Sequence, residues 1–197
     1  MTGRPKTLNR EHALAVALEG YWREGIYGMS VNEVCRRAEI SKPGLYREFG
    51  GEDGLLTAVL QLYRETVIDQ LATHLKSPYP FKEVFRAYVS ATMHQNGHPP
   101  GCLLAEMRLI QPEDLGESTR SKVLECVDEL YGHYREWLQR AQANGEISND
   151  LDLDTAARLL DSQMMTASLK AYRGGDVDKI KGELSMALWR LTPDLEL

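Results

Sequence analysis

The sequence predicts an all-α protein of about nine helices, with a small three-helix unit over residues 1–52 and a larger helical domain over 53–197. Apolar residues recur at spacings of three and four almost throughout. Runs of β-branched residues alternating at period two are nearly absent. Helix caps and Gly/Pro breaks punctuate the chain where each apolar stripe ends.

Asn9 is the expected N-cap of a first helix that places Ala13, Leu14, Ala17, Leu18 and Tyr21 or Trp22 on one face and ends at Gly25. Ser30-Val31-Asn32-Glu33 fits a capping box, with the serine accepting from the N3 amide and Glu33 reaching back to the cap. The short helix that follows aligns Val31, Val34, Cys35 and Ala38. After a turn at Glu39-Ile40, Ser41 caps a third helix, where Pro43 costs little because its missing N–H has no partner in the first turn. Gly50-Gly51 ends that helix. Glu52 and Asp53 suit the positive end of a fourth, running to about Lys76 before Pro78 and Pro80. Further helices are expected over about Phe81–His94, Cys102–Ile110, Glu117–Ala143, Leu153–Tyr172 and Val177–Leu191.

With 43% hydrophobic and 26% charged residues the composition is that of a globular protein. There is no apolar run of about 18 residues and no signal-peptide core, which predicts a cytoplasmic protein without a membrane partner. Cys35, Cys102 and Cys126 are odd in number and lack Cys-x-x-Cys spacing, so neither a disulfide framework nor a zinc site is expected. The histidines (His12, His74, His94, His98, His133) form no metal-ligand spacing. Nucleophile-elbow, zincin, phosphate-loop and dinucleotide fingerprints are absent, so the expectation is a protein without catalysis, metal or cofactor.

The net charge of −6 is unevenly spread. Residues 1–50 hold eight Lys/Arg and six Glu, a balance of +2, whereas the rest holds 15 of the 23 basic and 23 of the 29 acidic residues. A polyanion should therefore meet the N-terminal unit. Two short helices joined by a tight turn are the helix-turn-helix element that enters the major groove. Val34, Ala38, Ile40, Leu45 and Phe49 are expected inside, leaving Ser41, Lys42, Gly44, Tyr46 and Arg47 outside. Ahead of the first helix, Gly3-Arg4-Pro5-Lys6 is a basic arm suited to a minor groove or, alternatively, a merely basic tail.

The run Ser41-Lys42-Pro43-Gly44-Leu45-Tyr46-Arg47-Glu48-Phe49, with Ser30-Val31 before it and Gly54-Leu55 after it, resembles the DNA-binding domain of the TetR family of repressors. The resemblance covers roughly Asn9 to Tyr63. It implies a homodimer on duplex DNA that responds to a small-molecule effector, with a phosphate contact from Tyr46 and a groove lined by Ser41, Lys42, Pro43, Gly44 and Arg47. Together with the arm, the expected DNA-contacting set is Arg4, Lys6, Ser30, Val31, Ser41, Lys42, Pro43, Gly44, Tyr46 and Arg47. Family members often carry lysine where this chain has Glu52, and an acidic residue there should repel a phosphate.

In the same family the last two helices pair with their symmetry mates as a four-helix bundle, which implies an interface through Leu160, Met164, Ala167, Leu184 and Leu188. An internal core is the other reading of that stripe. The resemblance also implies a ligand pocket between reader and interface, for which Tyr88, Met93, His94, Cys102, Met107, Tyr131, Tyr134 and Trp137 are the candidates; ordinary core packing is the alternative for each. Cys102, after Pro99-Pro100-Gly101 at an expected helix start, is a candidate reactive thiol through which oxidants or electrophiles could switch the protein, or else a buried small hydrophobe. A helical protein-interaction adaptor without DNA binding is the reading from another class.

Overall fold

The computed structural model describes residues 9–93, 99, 101–188 and 191. Arg4, Lys6 and His94 lie outside them. The described residues form α-helices at Arg10–Glu24 (α1), Val31–Arg37 (α2), Lys42–Phe49 (α3), Glu52–Tyr63 (α4), Asp69–Leu75 (α5), Phe81–Met93 (α6), Leu103–Met107 (α7), Glu117–Ala143 (α8), Leu153–Tyr172 (α9) and Val177–Ala187 (α10). A π-helical turn, Arg64–Ile68, joins α4 to α5 without a break, and Pro112–Asp114 forms a single 3-10 turn. There is no strand among the described residues.

Local chemistry accounts for most element boundaries. Asn9 Oδ1 accepts the His12 amide at 3.0 Å, and Ser41 Oγ accepts the Gly44 amide at 3.2 Å. Gly50 closes α3 in the left-handed region (φ 78°), donating its amide to Tyr46 O at 2.8 Å, and Gly51 follows at φ 118°, where a side chain is strained. The capping box is only half formed. Ser30 Oγ accepts the Glu33 amide at 3.2 Å, but the Glu33 carboxylate does not return to the cap. It is held by Arg36 (2.8 and 2.6 Å) and Arg37 (2.6 Å), because two guanidinium forks at i+3 and i+4 outcompete one amide. The hydrogen bonds from Arg36 and then Arg37 bring the Glu33 carboxyl down to about 2.

One continuous apolar core joins the N-terminal unit to the rest. Ala13, Ala17, Val34, Leu45, Leu55 and Val59 are fully closed to solvent, and both Tyr21 and Trp22 are buried, where the sequence left a choice between them. The rod formed by α4, the π turn and α5 packs on α1 and α3 at its start and on α8 along its length; α8 in turn packs on α9, and α9 on α10.

Asp53, in the first turn of α4, fixes the rod to α8. Its carboxylate accepts the Ser118 amide at 3.1 Å, the Thr119 amide at 2.9 Å and the Thr119 hydroxyl at 2.6 Å. Gly116, the residue before α8, has no side chain to cap it, so Asp53 supplies that cap from another helix. Burial raises the Asp53 carboxyl, but the hydrogen bonds from Thr119 and Ser118 outweigh it and hold the group below the usual carboxylate value. A lowered folded-state value gives stabilisation that is present above about pH 4 and lost as pH falls through the folded-state value. Asp53→Ala is expected to cost about 1–2 kcal/mol in urea unfolding at neutral pH, with the gap to the parent narrowing in acid.

Candidate functional site

The turn between α2 and α3 brings the second helix into its exposed position. Glu39 adopts φ 54°, unusual for a residue with a side chain, and Ile40 donates its amide back to Cys35 O at 3.0 Å. Leu45 and Phe49 then face the core, while Ser41, Pro43, Tyr46 and Arg47 are exposed and Lys42 is half-buried. Two residues of the expected DNA-contacting set lie elsewhere. Val31 is 7% exposed and belongs to the core, because it shares a face with Val34 and Cys35. Gly44 is buried beside Leu45, and its amide is taken by Ser41 Oγ. Ser30 is exposed.

The cations around α3 differ in what they already hold. Arg36 is paired with Glu33, and Arg37 forks onto Glu24 with one N–H at 3.0 Å while also pairing with Glu33. Arg10 lies 3.4 Å from Glu48 and 5.5 Å from the centre of the Phe49 ring. Lys42 Nζ sits 5.3 Å over the Tyr46 ring. Arg47 forms no ion pair with any described residue. The Tyr46 hydroxyl donates to Glu52 Oε1 at 3.1 Å, so Glu52 both places a negative charge beside the reading helix and occupies a donor suited to phosphate.

A cavity of about 390 Å³ lies behind this head. One side is the rod, through Tyr63, Thr66, Val67, Ile68, Gln70, Leu71 and His74; the π turn widens the helix so that three consecutive residues, Thr66 to Ile68, face the space. Tyr88, Ala91 and Thr92 of α6 line the opposite side, with Gly101, Cys102 and Leu104, and with Leu130 and Ser168 from α8 and α9. Pro99 also contributes, as does Trp22 from α1. Its indole N–H donates to Gly101 O at 3.3 Å, and its ring meets Tyr63 edge-on at 4.9 Å and 74°. Gly101 (φ 84°) must be glycine, since a Cβ there would lie 2.6 Å from Tyr172 Cβ.

Of the pocket candidates, Tyr88 and Cys102 line the cavity. Tyr134 stands behind the wall, its hydroxyl bonded to that of Tyr88. Trp137 lies tilted against Phe81 at 4.4 Å, Met93 and Met107 are buried, and Tyr131 lies under Arg158 at 5.1 Å; none of these four is part of the wall. The sequence reading looked only beyond Phe81 and so missed Trp22 and the rod. A signal existed in the positions Tyr63, Thr66, Gln70 and His74, a polar and aromatic stripe at helical spacing on a rod that is otherwise apolar inside.

Of the two readings of Cys102, reactive thiol or small hydrophobe, its surroundings favour the second. Cys102 does cap α7, its Sγ accepting the Ala105 amide at 3.4 Å and the Tyr63 hydroxyl at 3.1 Å. Burial nevertheless pushes the thiol above its ordinary value, outweighing those hydrogen bonds, and a five-residue helix supplies little dipole. Cys35 is raised by burial too, and Cys126 is pushed up to about 11. All three are free thiols.

The interface candidates need a second correction. Leu160, Met164, Ala167, Leu184 and Leu188 are each 3% exposed or less within the single chain. They pack the chain's own core, because the more apolar of the two faces of α9 and α10 turns inward. The outward face carries Thr155, Leu159 and Thr166 on α9, with Gly182 and Met186 on α10. Met186 is 78% exposed.

Residues 13–59 match the family described as "Bacterial regulatory proteins, tetR family", and residues 82–181 match "Tetracyclin repressor-like, C-terminal domain". The HTH-type transcriptional repressor ComR of Escherichia coli (strain K12) is 26% identical over 198 residues, covering 98% of this chain and 93% of that protein. BdcR of the same organism, also an HTH-type transcriptional repressor, is 33% identical over 112 residues, or 53% of this chain and 54% of that one. Among solved structures, a cysteine mutant of the TetR family transcriptional regulator CifR with a 26 bp operator DNA superposes at a TM-score of 0.78, with 25% identity over 94% of this chain and 98% of that one. Escherichia coli NemR in its reduced form shares the fold at a TM-score of 0.80, with 21% identity over 93% of this chain and 97% of that one. No helix among the described residues is long and apolar enough to cross a membrane. With a helix-turn-helix head, a helical C-terminal domain around a cavity, and matches in both halves, the chain belongs to the TetR family of DNA-binding transcriptional regulators.

Proposed function

We propose that this protein is a repressor that grips a pseudo-palindromic operator as a two-fold dimer and releases it when a small molecule fills the cavity behind α4. The observation that carries the reading is the contribution of Trp22 to the cavity wall, because α1 packs on α2 and α4, meets α3 through Arg10 with Glu48 and Phe49, and also lines the cavity. A ligand that repositions Trp22 disturbs its bond to Gly101 O and the seat of α1. Release follows if the ligand binds the detached arrangement more tightly, since equal affinity for both states shifts nothing.

Dimerisation through the outward faces of α9 and α10 would place two copies of α3 on half-sites about 34 Å apart or a multiple of that. Gly182 leaves open space where a Cβ would stand, which suits close helix approach by a second copy. The adaptor reading is not retained, since the named relatives are transcriptional regulators. The cysteine-switch reading stands second to this one, since burial raises the Cys102 thiol above its ordinary value and no basic side chain lines the cavity wall beside it except His74 among the described residues.

Selection of bound duplexes from a random pool tests the proposal: a two-fold symmetric pair of half-sites is the expected product, and a pool that enriches no such sequence overturns it. The charge at Glu52 gives a sharper check. Glu52→Lys frees the Tyr46 hydroxyl and adds two cations per dimer, so operator binding should tighten and the slope of log K against log salt should steepen by about 2. An unchanged slope in a salt titration would show that the start of α4 does not approach phosphate.

A further inference from the structure

The larger part of this chain is acidic, yet the described residues of the cavity wall include no Asp, Glu, Lys or Arg. His74 is the one described wall residue that could carry a positive charge. Its Nε2 lies 3.2 Å from Val84 O, and since a carbonyl only accepts, that nitrogen holds a hydrogen already committed to the backbone.

Most hydroxyl groups of the wall are committed as well. Thr66 donates to Leu62 O, Thr92 to Tyr88 O and Ser168 to Met164 O, each within its own helix. Tyr63 donates to Cys102 Sγ; Tyr88 shares a hydrogen bond with Tyr134 in which either hydroxyl can donate, so the Tyr88 hydrogen is free for the cavity when Tyr134 is the donor. Apart from the Tyr88 hydroxyl, what these groups leave toward the cavity is lone pairs, aromatic carbon and aliphatic carbon. The Gln70 amide is the main uncommitted donor. Such a wall offers an anion few donors to replace its hydration shell, and it has no carboxylate among the described residues to balance a cation.

We infer that the ligand of this cavity is an uncharged, predominantly apolar small molecule, aromatic or alicyclic in frame, with at most one or two hydrogen-bond donors directed at the hydroxyl oxygens. The volume, near the lower end of the roughly 300–1,000 Å³ typical of small-molecule sites, suits a frame of two or three rings. The inference deepens the effector reading, but the chemical class and the regulatory role are tested separately.

Two fluorescent probes share one frame and differ by a charge: N-phenyl-1-naphthylamine is neutral, and 8-anilinonaphthalene-1-sulfonate carries a sulfonate. Titrated into the full-length protein, the neutral probe should saturate at one site per chain, with the sulfonate and the cation ethidium binding at least tenfold more weakly. Either ion binding as tightly as the neutral probe overturns the inference. Two wall residues exposed enough to be changed without unfolding place the binding in this cavity. Ala91→Trp should abolish neutral-probe binding with an unchanged melting curve. Gln70→Arg should raise the affinity for the sulfonate severalfold relative to that for the neutral probe. Probe binding that neither substitution alters lies elsewhere and overturns the assignment. Neutral-probe binding at this site without loss of operator affinity would uphold the ligand class and refute release by occupancy.

Discussion

Arg47→Ala is expected to weaken operator binding by about 2–6 kcal/mol per dimer, since a bidentate base contact contributes about 1–3 kcal/mol and the dimer makes two. That is roughly 30-fold to more than 10⁴-fold in affinity. The size of the effect follows from what Arg47 lacks. It stands on the exposed face of α3, one residue past Tyr46, without an ion pair to any described residue, so no protein contact has to be broken before it engages DNA. Arg36 and Arg37 make the contrast: both are tied to Glu33, and Arg37 to Glu24 as well. Arg36→Ala should therefore change operator affinity by less than about 1 kcal/mol, the range of an exposed ion pair. Fluorescence anisotropy at fixed salt on the selected operator and on a scrambled duplex separates the modes. Loss on the operator alone means a base contact, whereas equal loss on both, with a shallower salt slope, means a phosphate contact. Parent-like binding by Arg47→Ala would remove α3 from the interface.

Why the head was legible in the sequence and the cavity was not comes down to the range of the forces involved. Asn9, Ser30 and Ser41 cap amides three residues away, and Gly50-Gly51 satisfies a backbone demand within one turn, so their signals need only a few neighbouring residues. The limits of α8 and α9, Glu117–Ala143 and Leu153–Tyr172, coincide with those expected from apolar periodicity for the same reason. Periodicity, however, gives a helix its stripes without saying which neighbour each stripe meets. Leu160 and Met164 form such a stripe on α9, and it serves α9's own chain because α8 and α10 reach it there. The π turn at Arg64–Ile68 has no composition of its own. Cys102 shows the same limit in its chemistry: its place at a helix start is local and legible in the sequence, while the burial that raises the thiol depends on how distant elements pack around it.

Arg108→Ala should be the most destabilising single change among those considered, at about 3–5 kcal/mol, because it strands a buried carboxylate. Asp161, on α9, is 3% exposed, and both of its oxygens are taken by the Arg108 fork, at 3.0 and 2.8 Å. Water has little access to replace the guanidinium, so most of the desolvation cost of Asp161 stays when its partner is removed. Arg108→Met with Asp161→Leu removes both charges and keeps the volume, and should return stability to within about 1 kcal/mol of the parent. Urea unfolding of the parent, the single variants and the double variant closes the cycle; a cost below 1 kcal/mol for Arg108→Ala would show that solvent reaches the pair. The pair also bears on the cavity. Arg108 ends α7, the five-residue helix that begins beside Cys102 and Leu104 and follows Gly101, the acceptor of the Trp22 indole. Asp161 thus anchors to α9 the segment against which α1 rests. A chain with both charges removed should match the parent in stability yet hold that segment less rigidly, so its operator affinity should respond differently to neutral ligand from the parent's. Stability and coupling are separable here because one depends on leaving no charge unpaired, and the other on the directional grip of two hydrogen bonds that a hydrophobic pair cannot reproduce.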